Sequence, residues 1–77
     1  MEDYVKKIRK LVAEKAGVEV AELNFEDYIE DDLNIGEMEL IELLEEIEET
    51  FHVELLENKG EIETVQDLVD FVSEQVE

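Results

Sequence analysis

Leu40, Leu43, Leu44, Ile47 and Phe51 recur at spacings of three and four residues, with Glu39, Glu42, Glu45, Glu46 and Glu49 standing between them. At about 3.6 residues per turn a helix puts the first set on one side and the second on the other, so residues 37–51 are predicted to form a long amphipathic helix. Met38 and Ile41 fall near the border between the two faces. A helix of this kind must lay its apolar face on other elements, and the rest of the chain has to supply them.

Two further segments can do so. Val5, Ile8, Leu11 and Val12 recur at helical spacing with Lys and Arg between them, which predicts a helix over residues 3–16. Gly17 follows as a natural C-terminal cap, since it takes positive φ without steric cost. Near the other end, Val65, Leu68, Val69, Val72 and Val76 form a stripe behind Thr64, a good N-cap with Asp67 in the capping-box position. Residues 18–35 show no sustained period. A connection of this length is expected to lie across the helices with Val18, Val20, Leu23, Phe25, Tyr28, Ile29 and Leu33 tucked in. The turn-rich Asn58-Lys59-Gly60 is a candidate for one short helical turn. No proline, internal repeat or low-complexity linker interrupts the chain. The expectation is an all-α fold: a single domain over residues 1–77, a bundle of three main helices plus a short fourth, with a long loop between the first and second.

At 77 residues, such a domain buries only about 60% of the surface its unfolded form exposes. It has no cysteine, so neither a disulfide nor a thiolate is available. With 44% hydrophobic residues, packing alone can hold it. Charge then limits its partners. Three of the 25 acids and five of the six bases (Lys6, Lys7, Arg9, Lys10, Lys15) stand before Ala16, which leaves 22 acids and one base, Lys59, for the remainder. That surface repels nucleic acid and anionic membranes and is steered toward basic patches on proteins. High charge also keeps small proteins soluble, and charge by itself does not separate the two roles. Crowded carboxylates predict raised pKa values, and with them stability that grows as pH falls from neutrality. No apolar run approaches the ~20 residues of a membrane span, and Met1-Glu2-Asp3-Tyr4-Val5-Lys6-Lys7 lacks the apolar stretch of a secretory signal. A monomer in the cytoplasm, or in an organelle matrix after processing, is expected.

The segment Asp32-Leu33-Asn34-Ile35-Gly36-Glu37-Met38-Glu39-Leu40-Ile41-Glu42-Leu43, followed by Glu48-Glu49-Thr50-Phe51, resembles the centre of an acyl carrier protein. That family reads Asp-Leu-Gly-x-Asp-Ser-Leu and then an acidic helix ending in Glu-Glu-x-Phe. Ile62-Glu63-Thr64-Val65-Gln66-Asp67 is similar to the family's Ile-x-Thr-Val-x-Asp at the start of its last helix. The resemblance covers nearly the whole chain. It implies a small helical carrier fold, in which the motif serine opens the second long helix and is esterified by phosphopantetheine from coenzyme A. The helix N-terminus offers free N–H groups and a positive dipole end to the phosphate, and the thiol of the arm carries acyl groups as thioesters.

Carried onto this chain, the resemblance puts Glu37 at the serine position, Gly36 at the preceding aspartate and Met38 at the following leucine. A carboxylate cannot take the arm stably, because the product would be a hydrolysable mixed anhydride. Ser73 is the one serine, Thr50 and Thr64 are the two threonines, and none matches the attachment position. No cofactor is therefore expected, although phosphopantetheine is the family's. Asn34 replaces the family glycine, a mild change, since asparagine readily adopts a left-handed backbone.

Two readings of Glu37 stand open. Its carboxylate could mimic the phosphate of a loaded carrier, or it could be local helix chemistry, with Asn34 and Glu37 in the N-cap and third-position relation of a capping box. Glu39, Glu42, Glu45, Glu46, Glu48 and Glu49 likewise match the face with which carriers meet basic patches on their enzymes, or are a solvated helix face. Met38 and Ile41 favour docking, because apolar residues bordering an acidic face suit an interface. An EF-hand register places Asp31, Gly36 and Glu42 correctly, but Leu33 and Ile35 offer no ligand oxygen, so no metal site is expected. His52 has no cysteine, serine or second histidine near it in sequence, no nucleophile motif is present, and the chain is not expected to be an enzyme. The expected function is an acidic interaction module that binds basic protein partners, carrier-dependent enzymes among them, through its second helix. The alternative is a genuine acyl carrier of fatty acid or polyketide-type synthesis represented by a serine-substituted form.

Overall fold

The computed structural model describes residues 4–76. Helix α1 runs Tyr4–Ala16, α2 Glu37–Phe51 and α3 Val65–Val76, and short 3₁₀ turns at Val20–Glu22 and Leu56–Glu61 interrupt the connections. The three predicted helices and the short fourth all form; the predicted start of the first at residue 3 lies outside the described residues. None of these helices is long and apolar enough to cross a membrane.

Each helix ends where its chemistry allows. After α1, Gly17 adopts φ 76°, and both its N–H and that of Val18 reach the carbonyl of Ala13. His52 closes α2 in the same left-handed region at φ 59°, with its N–H on the carbonyl of Glu48 at 2.7 Å. At the start of α3, Thr64 Oγ1 accepts the N–H of Asp67, and Asp67 Oδ2 accepts the N–H of Thr64, both at 3.1 Å. The predicted capping box is thus present with Asp as its acid.

Ile8 and Val12 from α1, Leu43, Leu44 and Ile47 from α2, and Val65, Leu68, Val69 and Val72 from α3 are buried in one core. The long connection adds Leu23, Ile29, Leu33 and Ile35, and the segment after α2 adds Val53, Leu55 and Ile62. Each fully buried side chain of this kind contributes about 1.5–3 kcal/mol of transfer free energy, so the loop is a structural member of the bundle. The expectation that all its apolar residues tuck in is corrected at Val20, Phe25 and Tyr28, which are exposed. Val76, expected on the α3 stripe, is exposed as well, in the last described turn of the helix.

The connection also seals the start of α3. Tyr28 and Thr64 form an isolated antiparallel bridge, with the N–H of Ile29 on the carbonyl of Glu63. The carbonyls of Asp27 and Phe25 accept the N–H groups of Val65 and Gln66. With the Thr64 hydroxyl on Asp67, the free donors that every helix N-terminus leaves are satisfied by the protein itself.

Candidate functional site

The start of α2 is built differently. Leu33 and Ile35 both point into the core, and Asn34 between them reverses the chain in the left-handed region at φ 58°. Gly36 then takes the N-cap place with extended φ −71° and ψ 176°, and its carbonyl accepts the first helical bond, from Leu40. Glu39 Oε1 reaches back to accept the Gly36 N–H at 2.9 Å. Glu39 therefore fills the third-position role, and the expected Asn34–Glu37 capping relation is not formed. Burying Ile35 moves the helix start two residues beyond Asn34 and leaves Glu37 as the first residue of α2. Among the described residues, no protein acceptor meets the N–H groups of Glu37, Met38 and Glu39. The start of α3 is closed and the start of α2 is open.

Glu37 instead faces Lys59. Its Oε2 lies 2.8 Å from Lys59 Nζ, with the glutamate side chain 70% exposed and the lysine 30%. The Lys59 hydrogen bond, and then its charge, hold the Glu37 carboxyl below its usual range. The expectation that crowding raises carboxylate pKa values is reversed at this position. Both partners line a cleft of about 370 Å³ between the end of the long connection, the start of α2 and the second 3₁₀ turn. Ile29, Ile35, Leu40 and Ile62 give this cleft its apolar surface, and Tyr28, Asp31 and Glu63 stand among its polar ones. Lys59 and Tyr28 were not singled out as site residues from the sequence. The signal available was the position of Lys59 as the one base in a long acidic run.

Along the outer side of α2, Met38, Glu42, Glu45 and Glu49 are spaced by four, three and four residues and so form one row. All four are exposed, Met38 to 77%, and Glu39 and Glu46 are exposed beside them while Ile41 is half-buried. Lys15 of α1 pairs with Glu42 at 3.3 Å. Glu48 turns away from the row: half-buried, its Oε2 accepts the N–H groups of Leu55 at 2.6 Å and Leu56 at 3.0 Å and so anchors the second 3₁₀ turn. Most of the residues expected to meet a partner therefore lie on one continuous surface from Glu37 to Glu49, with Glu48 at its inner edge.

The serine and threonine hydroxyls lie elsewhere. Ser73 is half-buried on α3, Thr64 caps α3, and Thr50 donates to the carbonyl of Glu46 at 2.8 Å near the end of α2. The first turn of α2, Glu37-Met38-Glu39-Leu40, has none. Leu33 and Ile35, at the third and fifth places of the EF-hand register, are buried core residues, and no group of three potential ligands stands together among the described residues. His52 is exposed on its helix cap.

Residues 6–72 match the family model described as the phosphopantetheine attachment site. The chain is 35% identical over 74 residues to an acyl carrier protein of Rubrobacter xylanophilus, an alignment spanning 95% of this chain and 91% of that relative.

Proposed function

Because the chain belongs to the acyl carrier protein family, we propose that it works as a carrier-type docking domain without the carried group. The observation on which this reading rests is the first turn of α2, open at its N–H groups and exposed, yet furnished with Glu37 and Met38 and no hydroxyl. Phosphopantetheine needs a hydroxyl oxygen for its phosphodiester. The residues present at the family position do not fit that group, and no chemistry through it is assigned to this chain. What remains is the surface itself: Glu37, Glu39, Glu42, Glu45 and Glu49, with Glu48 at the edge and Met38 and Ile41 as apolar points, presented to basic patches on proteins. Carrier-dependent enzymes are the partners of choice, since they already bear such patches, and the domain would act toward them as a scaffold, decoy or regulator. The role is non-catalytic and is assigned to the cytoplasm. Binding is expected to weaken as salt rises, and a partner whose affinity ignores ionic strength would argue against docking through these acids.

A second reading keeps the carrier role and regards this chain as a serine-substituted form of a genuine acyl carrier of fatty acid or polyketide-type synthesis. The cleft beside the start of α2, with Ile29, Ile35, Leu40 and Ile62 in its wall, favours it. Intact mass after incubation with coenzyme A and a promiscuous phosphopantetheinyl transferase separates the two. If Gly36→Asp with Glu37→Ser gains the arm and the native chain does not, the carrier surface is preserved and Glu37 silences it. If neither gains the arm, the surface has diverged and the carrier alternative fails. A gain by the native chain would overturn the docking-only reading.

A further inference from the structure

Lys59 is the one lysine or arginine after Ala16, and it stands on the acidic surface itself, its ammonium 2.8 Å from Glu37 Oε2. Glu37 does not need this pairing in order to be tolerated, because a carboxylate in the first turn of a helix is already favoured by the open N–H groups and the dipole. The lysine holds its place at the cleft with its side chain largely covered, while the glutamate remains mostly exposed. A basic group arriving from solvent would therefore find Glu37 accessible but already neutralised. Oε1 has no lysine on it, yet a second cation there would sit a few ångströms from Lys59 and be repelled by it.

We propose, resting on the docking reading above, that Lys59 is an internal competitor: its ammonium occupies on Glu37 the place that a partner's lysine or arginine would take. The partner must displace it before it can engage the start of α2. Lys59 then lowers affinity for basic groups in general and reserves Glu37 for a partner that offers more than a single point charge, such as a guanidinium with its two parallel N–H donors. An exposed ion pair is weak enough for that exchange, and a lysine can swing out on its flexible stem without disturbing the core.

The test is titration of a fluorescent poly-arginine peptide at low salt into the native chain, Lys59→Gln, Lys10→Gln and the double variant Glu37→Gln with Lys59→Gln. Lys10 is exposed on α1 and outside the cleft, so its replacement makes the same change in net charge without freeing Glu37. Lys59→Gln is expected to bind about two- to five-fold more tightly than native, the range an exposed ion pair can withhold. Lys10→Gln should gain less, and the double variant should lose the advantage. Equal gains from Lys59→Gln and Lys10→Gln, or a gain that survives Glu37→Gln, would overturn the competitor role and leave docking intact. A further variant, Glu45→Gln with Glu49→Gln, reads the docking surface separately. If it binds as tightly as native, the acidic row is not the docking site, and the competitor role falls with it.

Discussion

The Arg9 guanidinium lies 5.2 Å from the centroid of the Phe25 ring, while its Nη2 donates to the carbonyls of Val20 at 3.0 Å and Leu23 at 3.1 Å. One side chain of α1 thereby fastens the first half of the long connection, where Val20 and Phe25 are exposed and do little to hold it by burial. Arg9→Ala is expected to cost about 1–2 kcal/mol, from two charge-assisted hydrogen bonds and a cation–π contact, all partly solvated. Arg9→Lys should recover only part of this, because an ammonium lacks the planar fork that reaches ring and carbonyls together. Urea midpoints at equal m-values measure both, and a lysine variant as stable as native would show that charge alone suffices.

Much of this architecture was legible in the residues. The spacing of Leu40, Leu43, Leu44 and Ile47 placed α2, and Gly17 and Thr64 marked helix ends that the structure uses. The asparagine chosen for a left-handed backbone, Asn34, adopts it. What could not be read was how non-periodic residues divide between core and solvent. Tyr28 and Ile29 are adjacent and both are expected to tuck in, yet Ile29 is buried and Tyr28 half-exposed, because in the extended backbone bridged to Thr64 successive side chains point to opposite sides. The Glu37 partner was hidden for the same reason: Lys59 is 22 residues away, and only the folding of the second 3₁₀ turn against α2 brings them together. The N-cap falls on Gly36, two residues beyond Asn34, because Ile35 is buried before the helix begins, and nothing in the local spacing of Asn34 and Glu37 signals that.

The long connection should behave as core where it is buried. Ile29 is 1% exposed and Val20 is 37% exposed. Ile29→Ala is expected to lose about 2–5 kcal/mol, whereas Val20→Ala should lose less than about 1 kcal/mol. For a domain this small, the first is a large fraction of the total stability. Comparable losses from both would mean that the connection is held as a uniform coat rather than by inserted side chains.

Glu37 predicts a pH dependence with a definite sign. Its carboxyl is held below the value of 4.5 by Lys59, so the folded state binds its proton less readily than the unfolded chain does. The stabilisation is therefore complete above the unfolded carboxylate pKa and is lost as pH falls through the lower folded value. Glu37→Gln should be slightly less stable than native at pH 7, and the gap should close as the medium is acidified below about pH 4. Melting curves of the two proteins across that range test it. A gap that widens on acidification would contradict the ion pair.

Salt acts on two opposed contributions. Raising ionic strength weakens Lys15–Glu42 and Lys59–Glu37, but both pairs are exposed on the glutamate side, and such pairs contribute little. Against them stands the mutual repulsion of 25 acids opposed by six bases in a body of 28 × 26 × 19 Å. Those charges lie two or three screening lengths apart at most, given a Debye length of about 10 Å at 0.1 M salt. The unfolded chain spreads the same charge over a larger volume, so screening relieves the folded state more. The melting temperature is accordingly expected to rise between roughly 0.01 M and 0.5 M NaCl. Mg²⁺ should act at lower concentration, as a divalent ion relieves clustered carboxylates more effectively. Glu37→Gln should rise more steeply than native with NaCl, since it has one fewer ion pair for salt to weaken. A melting temperature that falls with salt in the native protein would mean that the two ion pairs outweigh the repulsion.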